Sequence, residues 1–528
     1  MDAFQQEVVE KISKISPLYL VGGAVRDTLL DRPTKDVDGV TELSLEQLEQ
    51  LLKEWGYHPL RIGANHPTIS VFQNGERLDF NPLSGNLETD ALRRDFTINA
   101  IYQEVRTGEY IDPLGGLTDL KNKILKACGN PDERFREDPI RVLRLVRFSV
   151  RYGLLIEAET LEAAKRAVGA LAGTAAERIS EELGRILTLD DPVTGIRLLG
   201  EIGYWQVFLP ELARLKGLVQ NKYHSKDALE HTLHVVRNTP PRLILRLAGL
   251  FHDMGKWETA SRECYAWGKC VAGNRGFRLG EFRLLGKQLQ RWNGQCVEVH
   301  GARLDHYPDV IQVKHIRKSN SGKVGFKWVT DGKRHFLGHE RESGRLTRQI
   351  LPRFRFSMAL GQGNSGGEKE LLWLIENHML GTLFFMPELR GEGKPGQLEE
   401  KARRFAWEQG WDGRAYQIER LSNLLDLWRA DFFGGKQRDP QDEEIFEQVQ
   451  QRIRSEAQKI LSRNQKLQWR TLEEFARNRG ISGREFGAFK DTVRKVLILS
   501  GDHFIMNEEF LEKEYREFSR NQQAEKRL

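Results

Sequence analysis

After Pro17 the chain reads LYLVGGAVRDTLL, an apolar run that meets Gly22-Gly23 and then takes on helical spacing. This commits it to a strand, a glycine turn and a helix. Residues 1–16 before it carry apolar positions at helical spacing. After Pro33 comes KDVDGVTE; if this segment is extended, Asp36 and Asp38 share one face and Val37 takes the other. TISVFQ and ERLDF predict two further short strands, with Asp79 at the end of the second. From about Asp119 the period lengthens to about 3.6, through EDPIRVLRLVRFSVRYG, AAERISEELGRIL and DPVTGIRLLGEIG. The pattern predicts a small α/β head leading into a long helical body.

With 528 residues the chain is too long for one core, and two to four domains are expected. Its four cysteines cannot make a disulfide framework, and MDAFQQEVVEKISKIS is no signal peptide. No uncharged apolar run of about 18 residues occurs, which excludes a membrane-spanning helix and makes the cytoplasm the expected compartment. The net charge of +6, from 81 Lys+Arg and 75 Asp+Glu, permits a polyanionic partner without demanding one.

Two carboxylates on one face repel each other unless a cation lies between them, and magnesium favours such oxygen ligands together with substrate phosphates. Asp36 and Asp38 are therefore a candidate metal pair, with Asp79 a third carboxylate able to act as ligand or general base. Upstream, the Gly22-Gly23 turn offers backbone N–H groups to phosphate oxygens, and Arg26 adds charge one turn into the helix.

LVGGAVRD (20–27), DVDG (36–39), RRDFTINAI (93–101), YIDPLGGLTDL (110–120) and EDPIRVLRLVRF (137–148) occur in this order. Together they resemble the signature series of the class II tRNA nucleotidyltransferase and bacterial poly(A) polymerase family, strongly over about 1–215. The resemblance implies an α+β protein: a nucleotidyltransferase head with a mixed sheet (1–120), a helical neck and body (121–215), an HD-type domain carrying a β-rich insertion (216–440) and a helical tRNA-binding tail (441–528). It also implies that Asp36 and Asp38 hold two Mg2+ ions for in-line attack of an RNA 3′-hydroxyl on the α-phosphate, expelling pyrophosphate without a covalent enzyme intermediate. Arg93, Arg94 and Asp95 would meet the incoming ribose and phosphates, with Asn99 supporting their loop. Asp138 and Arg141, three apart on one helix, would read the base edge of CTP or ATP. Arg144 and Arg147 continue that face.

Between Asp79 and Arg93 the chain is short, whereas enzymes of the family that build the whole CCA end carry a longer flexible loop there. The resemblance on this point is to CC-adding specialists, which leave the last A to a separate A-adding enzyme. Complete CCA addition is the alternative, and a poly(A) polymerase a further one.

His231, His252-Asp253 and Asp431 resemble the H…HD…D ligands of HD-domain phosphohydrolases, a donor set suited to Mn2+, Ni2+ or Co2+. His339 and His378 are further candidates. In some members of the family such a domain hydrolyses 2′,3′-cyclic phosphates and phosphomonoesters, and in others it is a vestigial scaffold. Between HDMGK and DGKRHFLGHE (331–340) lies an apparent insertion, about 264–329, with twelve Lys/Arg against four Asp/Glu and strand-like alternation in DVIQVKHIRKS and GKVGFKWVT. Cys264, Cys270, Cys296 and His300 only faintly suggest zinc, and free thiols are expected. Its charge and its aromatics Trp267, Phe277, Phe282, Trp292 and Trp328 could grip RNA backbone and bases.

Overall fold

Alternation in DVDGVT builds the head. Val37 and Val40 are buried, Asp36 is exposed and Asp38 half-buried, so β2 (Asp36–Thr41) presents both carboxylates opposite Val37. Its neighbours are β1 (Leu18–Val21), β3 (Leu60–Ile62), β4 (Thr68–Gln73), β5 (Glu76–Pro82), β6 (Tyr102–Glu104) and β7 (Tyr110–Ile111). They form one sheet in the order β3-β4-β5-β2-β1-β6-β7. Only the β2–β5 pair is parallel, which makes the sheet mixed, as expected, and sets Asp38 directly beside Asp79.

The computed structural model describes the chain apart from residues 2, 35, 64–66, 84, 221–226, 274–275, 308, 320–322, 329–333, 357–359, 361–365, 395–396, 411–415, 436–438, 467–468, 500–507 and 526–528. It divides into two units, 1–214 with 349–363 and 215–348 with 364–528, so that 349–363, placed by the sequence within 216–440, groups with the head and neck. Among the described residues no helix is long and apolar enough to cross a membrane.

In the first unit the sheet passes to helices through β8 (Ile124–Leu125), which pairs in parallel with β9 (Leu155–Ile156). The helix Pro131–Glu137 begins on an Asn130 cap with proline in its first turn, and the helix Arg141–Tyr152 ends on Gly153 at φ +64°. These two helices correct the sequence reading of EDPIR. Asp138 ends the first helix in an extended conformation and Arg141 opens the second, so they do not share one helix. Pro139 is the cause, because its ring disfavours a helical residue before it.

The second unit packs the helices Ala228–Asn238, Leu243–Phe251, Gly366–Asn377 and Ile418–Gly435 together. The tail helices Trp469–Asn478, Gly483–Leu499 and Glu508–Glu525 close on a core of their own that includes Leu472, Phe489, Val493 and Leu511.

The insertion is a β module wider than predicted. It comprises β10 (Ser261–Gly273), β11 (Gly276–Leu279), β12 (Phe282–Leu285), β13 (Cys296–Leu304), β14 (Val310–Lys318), β15 (Gly325–Trp328) and β16 (Arg334–His335). The pairings β10–β11, β11–β12, β12–β14, β14–β13 and β13–β10 return to their start and close a five-stranded ring. Phe282 lies in its core, with Phe277 and Trp292 packed against it, so these aromatics do not form the exposed set anticipated from sequence. The Trp328 side chain lies outside the described residues. Cys264 and Cys270 are buried apolar core residues and Cys296 is half-buried, all as free thiols.

The DPLGG turn depends on close backbone approach. Asp112 accepts from the N–H groups of Gly116 (2.7 Å) and Leu117 (2.9 Å), and a Cβ on Gly116 would lie 2.2 Å from the Thr97 carbonyl oxygen. Gly116→Ala should cost about 1–3 kcal/mol in urea unfolding. Gly169→Ala, where nothing lies within 4 Å, should change stability by less than about 0.5 kcal/mol.

Candidate functional site

Gly22 ends β1 at φ +77°, and a Cβ there would lie 3.1 Å from Asp38 Oδ2. Glycine is therefore required where the turn passes the carboxylate pair. The turn, β2, the RRDFTIN segment and the helices Arg141–Tyr152 and Ala176–Leu187 enclose a cavity of about 940 Å³. Gly22, Gly23, Arg26, Asp36, Asp38, Arg94, Asp95, Asn99, Asp138, Arg141, Arg144 and Arg147 all line it. Arg93 and Asp79 do not. Arg93 is turned onto Asp90, while Asp79 accepts from Ser70 Oγ (2.6 Å) and Arg77 Nε (2.8 Å).

Two opposed electrostatic settings share this cavity. Burial, then the charges of Asp79 and Asp36, push the Asp38 carboxyl up to about 6 against the pull of Arg94 and Arg77. Burial also disfavours charge on Asp95, but Arg144, Asn99 and the Phe96 N–H outweigh it and hold that carboxyl down to about 2. Arg144 donates from Nε (2.9 Å) and Nη2 (2.7 Å) to Asp95 Oδ2, and Asn99 Nδ2 donates to Oδ1 (2.9 Å). Arg26 donates to Asn99 Oδ1 (2.5 Å) and the Tyr152 hydroxyl (2.5 Å), so it is a buried brace as much as a lining cation. Arg147 is likewise buried, on Glu182 (2.6 Å). Asp138 accepts from Arg178 Nη2 (2.8 Å), and Arg141 donates to Glu137 (3.1 Å) and the Arg93 carbonyl (2.8 Å).

A second cluster lies in the other unit. His231 Nε2 is 2.9 Å from Asp431 Oδ1, and His252 Nε2 is 3.4 Å from His231 Nε2. His339 Nε2 lies 3.2 Å from Asp253 Oδ1 and 3.3 Å from His378 Nε2. The Nδ1 atoms of His252, His339 and His378 face the carbonyls of Gly249, Phe336 and Ile375 at 2.7–2.8 Å, so each must donate there. That turns three Nε2 atoms inward, beside the carboxylates of Asp253 and Asp431. A cation fits this donor set, and His231, His252 and Asp431, or His252, Asp253 and His378, bring ligand atoms within 4.8 Å of one another.

The Poly A polymerase head domain family matches residues 18–84 and 80–126, and the family described as the probable RNA and SrmB-binding site of polymerase A matches 153–216. A Multifunctional CCA protein of Ectopseudomonas mendocina is 36% identical over 291 residues, half of this chain and 68% of that protein. The chain belongs to the tRNA nucleotidyltransferase and poly(A) polymerase family. The Multifunctional CCA protein of Actinobacillus pleuropneumoniae (strain L20) is 37% identical over 45% of this chain, which covers 64% of that relative's length, under two thirds. An A-adding tRNA nucleotidyltransferase of Deinococcus radiodurans is 35% identical over 46% of this chain and 58% of its own length. The Thermotoga maritima CCA-adding enzyme, solved with tRNA, shares the fold at a TM-score of 0.53 and 18% identity, covering 98% of this chain and 96% of that one.

Sequence reasoning passed over three features that this nucleotidyltransferase-family chain uses. Asp90 is fully buried and binds Arg93, Arg94 and the Tyr102 hydroxyl (2.7 Å); its position three and four residues before the paired arginines was the available signal. Lys256 of HDMGK bonds Asp253 Oδ2 and Gln220 Oε1, both at 2.6 Å. Gly255 lets the helix His339–Phe354 approach, since a Cβ there would lie 2.5 Å from the His339 carbonyl oxygen.

Because the fold raises Asp38 above the ordinary 3.8, it disfavours the charged form. The penalty is absent below about pH 4, grows toward pH 6 and is complete above it. In EDTA, Asp38→Asn should therefore be more stable than the parent by about 1–3 kcal/mol at pH 7, with the difference vanishing near pH 3.5. Asp95, held at about 2, behaves oppositely: its stabilisation is present above about pH 4 and lost as pH falls toward 2. Asp95→Asn should thus destabilise at pH 7. Urea titrations across pH check both signs.

Proposed function

We propose that this chain extends the 3′ end of tRNA by nucleotidyl transfer, adding CMP and AMP from CTP and ATP to complete CCA and releasing pyrophosphate. The observation that carries this reading is the single cavity lined by the Asp36/Asp38 pair and by Arg94, Asp138, Arg141 and Arg144. The names of the curated relatives support the same reaction.

Asp36 and Asp38 would hold Mg2+, which when bound supplies charge neutralisation at the attacking hydroxyl and the triphosphate. The raised Asp38 carboxyl fits a cation, since like charges crowd it. Arg94, oriented by Asp90, adds positive charge beside Asp38. Asp95 is kept ionised by Arg144, Asn99 and the Phe96 N–H, and so would hold Arg144 and Asn99 in place around the incoming nucleotide. Asp138 would accept from an exocyclic amine and Arg141 donate to a ring acceptor, which favours C and A over G and U. Asp79, bound to Arg77, disfavours charge on Asp38 from the next strand.

A second reading, CC addition alone, is favoured by one observation. Strand β5 ends at Pro82 and a helix begins at Leu87, leaving four residues where a flexible loop would stand. A template pair with one supported geometry keeps one base preference, and a separate A-adding enzyme would then finish the end. The experiment is incorporation on tRNA ending at the discriminator base, with CTP, ATP or both. CCA with both nucleotides supports the first reading. Two C and a halt despite ATP supports the second, and a long A tail overturns both. Asp36→Ala should lower incorporation at least about a thousandfold while tRNA binding changes less than about threefold.

For the histidine cluster the proposal is a metal-dependent 2′,3′-cyclic phosphodiesterase or phosphomonoesterase using Mn2+, Ni2+ or Co2+. It rests on the three inward Nε2 atoms beside Asp253 and Asp431. His252→Ala should abolish hydrolysis of a cyclic phosphate measured with added nickel or manganese and leave CMP incorporation intact. Equal hydrolysis by parent and variant would overturn it.

A further inference from the structure

The ring β10-β11-β12-β14-β13 has a definite topology. Its third and fifth strands, β12 and β14, are parallel (Leu284 beside Ile311), its first and fourth, β10 and β13, are antiparallel, and all the others are antiparallel. A single turn, Leu289–Trp292, sits between the third and fourth strands and buries Leu289 in the barrel core. This is the strand path of the oligonucleotide-binding barrel, a Greek key closed on five strands. Topology alone names no ligand; the surface does.

We propose that residues 261–335 form a second RNA-binding site, in which the outer face of β10 and its neighbours holds a single-stranded stretch of RNA. Even-numbered residues of β10, among them Cys264, Ala266 and Cys270, fill the core, so Tyr265, Trp267, Lys269 and Val271 lie on the other face. At one end of this row, Lys327, Tyr265, His300 and His315 stand side by side across β15, β10, β13 and β14. The Tyr265 and His300 rings stack at 4.6 Å, those of His300 and His315 at 5.9 Å, and Lys327 Nζ lies 5.0 Å from the Tyr265 ring. At the other end, Val271, Arg278 and Arg283 stand side by side across β10, β11 and β12. Between them the half-exposed Trp267 lies against Gly325, where a Cβ would meet its indole at 2.2 Å. Six residues of strand separate the two rows, roughly 20 Å.

Charge complementarity selects the occupant. Of the four acids in 264–329, Glu298 is already paired with Arg317 (2.7 Å) and Asp305 with Arg262 (3.0 Å). Lys269, Arg278, Arg283, Lys318 and Lys327 have no carboxylate partner among the described residues. Unpaired cations interleaved with flat rings suit a polyanion with unstacked bases. RNA, rather than DNA or an acidic protein, follows from the reading of the head, on which the proposal rests to that extent.

Fluorescence anisotropy of the full-length protein with a labelled single-stranded oligoribonucleotide of about 12 nucleotides tests it. The combination Lys269→Glu, Arg278→Glu and Lys327→Glu should raise Kd at least about tenfold and flatten the slope of log Kd against log salt by roughly 2. Tyr265→Ala with Trp267→Ala should weaken binding about fivefold or more. Unchanged Kd and slope, in variants whose melting matches the parent, would overturn the proposal. So would capture of a protein ligand with RNA binding unaffected. If charge reversal unfolds the barrel, Lys269→Gln with Lys327→Gln must still weaken binding and flatten the slope, or the proposal fails. Asp36→Ala should retain oligonucleotide binding. Loss of incorporation in every form with the barrel effects intact would sink the reading of the head and leave this one standing.

Discussion

The ion pair between the buried Asp95 and the half-buried Arg144 is the interaction on which the first unit depends. It joins the sheet-bearing head to the helix Arg141–Tyr152, and it is extended at both ends. Arg26 and Asn99 continue it to Tyr152 on one side, and Arg144 approaches Glu182, which Arg147 binds, on the other. Removing one partner of such a chain leaves a charge out of water without compensation, a cost larger than the net gain of forming the pair. The motif residues are therefore held by one another, and the cavity they line is fixed by the same bonds that hold the elements together.

This explains why two carboxylates on one cavity differ so far in character. Asp95 is surrounded by donors and stays ionised, whereas Asp38 faces other carboxylates and is reluctant to. The first setting is complete within the protein. The second crowds Asp38 with Asp79 and Asp36, against which Arg94 and Arg77 pull, beside a glycine turn where a Cβ would lie 3.1 Å from Asp38 Oδ2. A carboxylate whose charged form the fold disfavours is the kind of perturbed group found at functional sites.

Much of this was legible in the residues. The glycine turn, the face shared by Asp36 and Asp38, and the two short strands before Arg93 follow from local periodicity and turn chemistry, which need no long-range information, although the second strand runs on to Pro82 and so puts Asp79 at its centre, not its end. The helix break at Pro139 was also legible, because proline constrains the residue before it, yet helical spacing through EDPIR masked it. What could not be read was pairing at a distance. The ties of Arg26 to Tyr152, 126 residues away, and of Arg147 to Glu182 depend on how elements pack. For the same reason Phe277, Phe282 and Trp292 looked available in sequence and proved interior or nearly so: alternation says that a strand has two faces, not which one a closing barrel turns inward.

The barrel raises a geometric question, since it interrupts a histidine cluster whose residues come from both sides of the insertion. Its ends answer it. Ser261 pairs with His335 and Arg262 with Arg334, so chain entry and exit are adjacent rungs of one ladder. Asp305 donates from its N–H to the Ala260 carbonyl (2.8 Å), and the His306 ring stacks on Trp257 at 3.6 Å, fixing the barrel to the helical side. A long excursion whose ends are held side by side costs little more closure entropy than a short loop. Asp253 and Gly255 before the insertion and His339 after it then meet as they would across a plain turn. The histidine cluster thus keeps its geometry because the inserted module closes on itself before the chain returns.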